Sequence, residues 1–318
     1  MLTHGHIRSV LLALFILTYV LTYASAADNT NDSSSLPTYH STVSQVRVTF
    51  FATDENNHPV GTLTRSDFAV IDSELVVRTF RSFTPSDETS LDMVALVDVS
   101  GSVAPRLRIA IRDVQELVAR EQSIPDDNIA VLSFGAFGGT SGGLRPAILC
   151  SSGCRTSDSV SKLLAVKSSG TTPLFDALIL ASDFISLHGR AGARPVLILF
   201  SDGNDTISLH SARDALDAVV AGGAVIYSVD MGKPTNPSAG SMFLRQMSDA
   251  SGGRYFSLQE GIANVLSAVL EDLRASYVVT YDLPSHQAGL HSLRLMPTHN
   301  LNLTFHSRNS YYYEPSLR

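Results

Sequence analysis

Residues 91–98 read Leu-Asp-Met-Val-Ala-Leu-Val-Asp, and Met93 to Val97 form an apolar run with no polar alternation. A strand with one wet face alternates, so this run belongs to a strand covered on both faces, as in a parallel sheet between helical layers. It breaks at once into Asp98-Val99-Ser100-Gly101-Ser102. Open α/β sheets bind their ligands at this C-terminal edge. A plain strand–helix turn would use Gly101 as the bend and Ser102 as the cap. One cap needs one oxygen, whereas side-chain oxygens at positions 98, 100 and 102 point to convergence on something charged.

The same grammar runs from 91 to 275. A helix is expected near 104–121, with Leu107, Ile111, Val114, Leu117 and Val118 at helical spacing. Asn-Ile-Ala-Val-Leu-Ser-Phe from 128 is the next strand, and a glycine-rich turn enters another ending at Cys150. A short helix follows, then a longer one opened by Pro173 and closed by Gly189. Arg194 to Phe200 is a second apolar strand that runs into Asp202. Helix, strand, helix, a short extended piece from Arg254 to Leu258 and a last helix near 261–276 complete the segment. Such alternation predicts an α/β fold with a doubly wound, Rossmann-like, mostly parallel sheet. The flanks read differently. Residues 44–88 alternate Val46, Val48 and Phe50 with polar residues and carry turn chemistry at Asn56-Asn57-His58-Pro59. Residues 277–318 return to strand-like patterns, ending in Tyr311-Tyr312-Tyr313. The two flanks are expected to pack as one small β domain split by the α/β insert.

Residues 1–26 have the layout of an export signal: Arg8, the apolar run Val10–Leu21, and Ala24-Ser25-Ala26 as a small-residue cleavage site. A weakly basic start leaves an uncleaved anchor open as the alternative. An Asn/Asp/Ser-rich leader follows over 27–43, and no later segment offers the ~18 apolar residues of a membrane span. The expected location is periplasmic, cell-surface or secreted. A formal net charge of −7 argues against a nucleic-acid partner. Cys150 and Cys154 are the two cysteines. Export permits a disulfide between them, and zinc is disfavoured because no second Cys or His pair has matching spacing.

Asp98, Ser100, Ser102, Asp202 and the loop threonines Thr171 and Thr172 place carboxylates and hydroxyls at one edge of one sheet. An all-oxygen set suits a hard cation. Mg2+ is favoured over Mn2+ or Ca2+, because a few hydroxyls and two acids fit an octahedron that keeps its waters. Two acids against a divalent ion leave it electrophilic toward an outside carboxylate. Catalytic alternatives fit less well. Haloacid-dehalogenase-type phosphatases need a second acid where Ser100 stands. Gly139-Thr140-Ser141-Gly142-Gly143 matches G-x-S-x-G, yet strand rather than helix follows, so a flexible hairpin tip rather than a nucleophile elbow is expected there. The ten histidines are scattered. Asp176 sits where an acid favours a helix dipole, and Asp205 reads as a solvated loop residue.

Asp98-Val99-Ser100-Gly101-Ser102 has the D-x-S-x-S form of a metal-ion-dependent adhesion site. With Gly170-Thr171-Thr172-Pro173-Leu174-Phe175-Asp176 and Ser201-Asp202-Gly203 in order, residues 91–275 resemble a von Willebrand factor type A (VWA) domain. The flanks resemble those of a bacterial exported VWFA-related group of acidobacterial type. The resemblance implies that Asp98, Ser100, Ser102, Thr172 and Asp202 hold a divalent ion. Thr172 rather than Thr171 aligns with the family's G-T-x-L-x-D pattern. It implies a non-enzymatic binding module in which a partner's Asp or Glu completes the coordination, the partner being a protein or another acidic ligand. The alternative is a scaffold whose metal site is unused. Relatives in which the last helix moves make Gly261–Ser276 a candidate switch element. The Cys150–Cys154 loop is not part of the family pattern.

Overall fold

The computed structural model describes residues 45–86, 90–120, 128–135, 146–152, 154, 157–233, 238–258 and 265–315. The expected signal (1–26) and leader (27–43), and the Gly139–Gly143 motif, lie outside them. So do residues 261–264 of the suggested switch element.

The apolar run forms β5 (Leu91–Asp98), all of whose residues are buried. It pairs in parallel with β6 (Asn128–Phe134) on one side and β8 (Arg194–Ser201) on the other. The sheet continues outward through β9 (Val225–Asp230) and β10 (Tyr255–Ser257) on one side and β7 (Ala147–Cys150) on the other, giving the order β10-β9-β8-β5-β6-β7. Alternate side chains feed two cores, which is why polar alternation is missing. Met93, Ala95 and Val97 pack under α1 (Leu107–Arg120) and α6 (Val265–Arg274). Val94 and Leu96 pack under α3 (Leu174–His188), α4 (Ala212–Gly222) and α5 (Ala239–Ser251). α2 (Ser157–Ala165) completes the helices among the described residues. None of them is long and apolar enough to cross a membrane.

β7 runs antiparallel to β6, in line with the hairpin expected between them. A disulfide joins Cys150, at the end of β7, to Cys154. One local feature differs from expectation, the start of the first helix. It begins at Leu107 rather than 104, since Gly101–Val103 form a separate 3-10 turn.

The flanks build two antiparallel sheets, each drawing on both ends of the segment. β1 (Gln45–Thr53) pairs with β11 (Tyr277–Asp282) and β13 (Thr304–Ser307), and β4 (Ser82–Pro85) joins through β11. β2 (Phe68–Asp72) pairs with β3 (Leu75–Val77) and β12 (Gly289–Pro297), which pairs with β14 (Ser310–Tyr313). The sheets share one core around Val48, Phe50, Phe68, Val70 and Val279, with the Phe50 and Phe68 rings 4.9 Å apart. One buried acid sits in it. Asp72 is fully buried and accepts from Tyr281 Oη at 2.8 Å and Tyr311 Oη at 2.6 Å, with His291 Nδ1 3.5 Å away.

The outer face of β1 meets the N-terminal edge of the parallel sheet. Arg254 forms a 2.8 Å ion pair with the buried Asp272 of α6 and donates from Nη1 to Asn57 O at 3.0 Å. Gly252 (φ 84°) ends α5 so close to the turn between β13 and β14 that a Cβ would lie 2.5 Å from Ser307 C. His306 stacks on Phe51 at 4.5 Å. Burial, and then the charge of Arg254, push its imidazole down to about 4.

Removing the Asp72 carboxylate orphans two buried hydroxyls. Asp72→Ala is expected to lower unfolding free energy by about 2–4 kcal/mol in urea titrations, from the cost of unsatisfied buried polar groups. His306 is neutral when folded but charges below about 6.5 when unfolded, so the unfolded chain binds more protons between that pH and about 4. Stability therefore falls with acidification across this window. From pH 7 to pH 5 the wild type should lose about 1–2 kcal/mol more than His306→Phe, which keeps the ring but not the titration.

Candidate functional site: a carboxylate–hydroxyl edge

The C-terminal edge of the parallel sheet brings the sequence-selected residues into one region. Asp98, the last residue of β5, has no exposed surface. Its Oδ1 accepts from Ser100 N at 2.8 Å, and its Oδ2 accepts from Ser201 Oγ at 2.7 Å. Ser100 Oγ and Ser102 Oγ lie 3.2 Å apart. Ser100 occupies the N-cap position of the 3-10 turn yet makes no side-chain capping bond. Ser100 is buried and Ser102 exposed, so the pair leads from the interior to solvent.

Backbone bonds clamp this loop. Val99 N donates to Phe134 O at 2.9 Å, Ser169 N to Val99 O at 2.8 Å, and Gly101 N to Gly170 O at 3.2 Å. The last two bring the threonine loop alongside Asp98–Ser102. Thr172, 3% exposed, is fixed from its other side. Its N donates to Thr206 Oγ1 at 2.7 Å, and Thr206 N donates back to Thr172 O at 2.9 Å. Thr171 is tied down less: its hydroxyl is buried without a hydrogen-bond partner among the described residues.

Asp202 follows β8 and is 5% exposed; its Oδ1 accepts from Asn204 N at 3.1 Å. The turn after it requires glycine. Gly203 has φ 75°, and a Cβ there would sit 2.2 Å from Gly240 O at the start of α5. Burial, above all, and to a lesser extent the charge of Asp202 push the Asp98 carboxyl up to about 6, against the hydrogen bonds from Ser100 and Ser201. Two neighbouring carboxylates, one desolvated, form a site whose electrostatics favour a cation. The donors are carboxylates and hydroxyls, so the chemistry fits a hard ion of the Mg2+, Mn2+ or Ca2+ type. Among the described residues no group of three or more His, Cys, Asp and Glu side chains is placed to hold a metal by itself.

Two acids read as peripheral in the sequence are braces. α3 begins at Pro173, which has no capping side chain. Its first amides are satisfied from the loop after β8: Phe175 N and Asp176 N each donate to Ser208 Oγ at 3.1 Å, and Phe175 N also donates to Asp205 Oδ1 at 3.3 Å. Asp205 is thus a foreign cap rather than a solvated residue. Asp176 accepts from Leu209 N at 3.0 Å, His210 N at 3.1 Å and His210 Nδ1 at 2.7 Å. Burial works against its charge, but these bonds outweigh it and hold the carboxyl below its ordinary value. The threonine loop and the Asp202 loop are therefore stitched into one body.

Sequence reasoning missed Ser201 and Asp230. Ser201 was hidden beside the more conspicuous Asp202, although a polar residue at the end of a buried strand was itself a signal. Asp230 ends β9 as Asp98 ends β5, the same pattern. It is occupied by its own turn, accepting from Gly232 N and Tyr255 Oη, each at 2.6 Å.

Residues 92–269 match the von Willebrand factor type A domain. Among solved structures, the chain is similar to the SpRpn10 VWA domain at 10% identity and a TM-score of 0.41, covering 52% of this chain and 87% of that one. It is also similar to an aerotolerance-related membrane protein from Bacteroides fragilis NCTC 9343 carrying multiple mutations to serines. There the identity is 15% and the TM-score 0.39, over 57% of this chain and 98% of that one. No curated protein matches it. Matched through the parallel sheet and across more than half its length, this chain belongs to the von Willebrand factor type A domain family.

Proposed function

We propose that this edge is a metal-ion-dependent adhesion site through which an exported, non-enzymatic binding module takes an acidic partner. VWA domains are generally protein-interaction modules. In the proposal Asp98, Ser100, Ser102, Thr172 and Asp202 hold Mg2+, or Mn2+ or Ca2+ in its place. When bound, the ion supplies Lewis acidity toward a partner's Asp or Glu carboxylate. The observation that carries the reading is the desolvated Asp98 carboxylate beside Asp202, with the Ser100 and Ser102 hydroxyls 3.2 Å apart in front of it. Buried like charges need compensation, and hydroxyls leading out to solvent give a cation a route in.

The chain's own residues do the positioning. Ser201 and the Ser100 amide orient the two Asp98 oxygens. Thr206 and Gly170 hold the Thr172 loop, while Asp205, Ser208 and Asp176 keep the facing loop from opening. The apolar leader at 10–21 with its Ala-Ser-Ala end supports export, and the flanking strands support placement in the bacterial exported VWFA-related group. One observation favours a scaffold with an unused site instead: both Asp98 oxygens already accept protein hydrogen bonds.

Calorimetric titration of Mg2+ and Mn2+ into the full chain separates these readings. Saturable one-site binding is expected in the wild type, weakened at least tenfold in Asp98→Ala and in Ser100→Ala. Absence of binding to the wild type would overturn the metal assignment and leave the scaffold.

A further inference from the structure

The sheet β14-β12-β2-β3 ends on one side in β3, and among the described residues nothing pairs with the outer edge of that strand. An exposed edge is a template for another strand, and proteins blunt such edges with lysine, proline, a bulge or a covering segment. β3 shows none of these among the described residues. It reads Leu75-Val76-Val77, runs in unbroken register with β2, and leaves Leu75 48% and Val76 60% exposed. The turn before it is tight. Ser73 and Glu74 hold φ angles of 49° and 65°, the geometry of a two-residue type I′ hairpin, which fixes the edge in an extended shape.

Register decides which backbone groups face outward. Asp72 and Leu75 close the turn, and Ile71 faces Val76. On the other side of β2, Ser73 N donates to Ser292 O at 2.8 Å. Backbone groups alternate sides along an antiparallel strand. Asp72 therefore turns its groups to Leu75, Ile71 turns its groups to β12, and Val76 turns its N–H and C=O away from the sheet. A donor and an acceptor on one outward residue are what a two-fold antiparallel pairing needs at its centre, where that residue meets its own copy and exchanges both bonds. The side chains agree. Glu74-Leu75-Val76-Val77-Arg78 is apolar in the middle and carries opposite charges at its ends. Antiparallel pairing about Val76 sets Leu75 opposite the partner's Val77 and Glu74 opposite the partner's Arg78, at both ends. A parallel pairing would set like charges together. Arg78 is exposed and makes no hydrogen bond or ion pair among the described residues. Glu74 is exposed and bonded to Arg294 at 2.9 Å, and a carboxylate has lone pairs for a second guanidinium.

We propose that β3 is a self-association edge: two copies of this chain join β3 to β3, antiparallel and centred on Val76, so that two four-stranded sheets become one continuous sheet. The partner is a second copy because the charge pattern of the edge complements itself. The strand is three residues long, so the contact is small and the dimer weak and reversible. The interface lies on the β-sandwich and does not rest on the metal reading of the parallel sheet's rim.

Sedimentation equilibrium of the full chain at low ionic strength, up to about 1 mM, tests this. The wild type is expected to rise reversibly from the mass of one chain toward that of two. Val76→Lys, an exposed edge substitution, removes the rise. Glu74→Arg and Arg78→Glu each weaken association about tenfold, since each sets two like-charged pairs across the two-fold. Mixed together, these two variants regain the wild-type association, because each end of the mixed dimer again joins an arginine to a glutamate. Association is unchanged in Asp98→Ala and with chelator. A wild type that stays monomeric throughout, self-association unaltered in Val76→Lys, or a mixture no tighter than its two components overturns the proposal.

Discussion

Everything at the carboxylate–hydroxyl edge depends on β5 being buried from end to end. A strand covered on both faces by helices cannot shift its register without moving two cores at once. Asp98 is therefore delivered to the rim at a fixed height, in a place where water is excluded. The charge that makes the site attractive to a cation and the rigidity that places it have one cause. Burial raises the carboxyl to about 6, and the same burial prevents the strand from relaxing to hydrate it.

Around that fixed point the chain uses borrowed capping. α3 starts with Pro173 and so brings no cap of its own, and its first amides reach across to Ser208 and Asp205. The loop that completes the helix also carries Thr206, which holds Thr172. Local imperfection at one helix end becomes a long-range tie between two segments of the rim. A self-sufficient cap at 173 would have removed one of the ties between the two loops.

How much of this was legible in the sequence follows from the range of the interactions. Met93–Val97 and Arg194–Phe200 announce doubly covered strands because the absence of alternation is a local property. D-x-S-x-S is legible for the same reason. So is the antiparallel return of β7, because a glycine-rich stretch followed directly by a strand reads as a hairpin. Nothing local marks Asp72, and only the approach of Tyr281 and Tyr311 from the far end of the chain makes it a buried hub. Asp205 and Asp176 were misweighted because their partners are about thirty positions away, beyond any periodic signal.

The β-sandwich pairs β1 with β11 and β2 with β12, so each of its sheets joins residues near 50–70 to residues near 280–295. During synthesis the early strands emerge with half their partners unmade and their aromatic faces, Phe50 and Phe68, uncovered. The intervening α/β segment is complete before they can close. Sequence-distant pairing of this kind is slow to form, and exposed strand edges are prone to wrong partners in the interval. The parallel sheet thus acts as a template: once folded, it holds the two ends of the chain side by side, and the sandwich becomes the last part of the molecule to assemble.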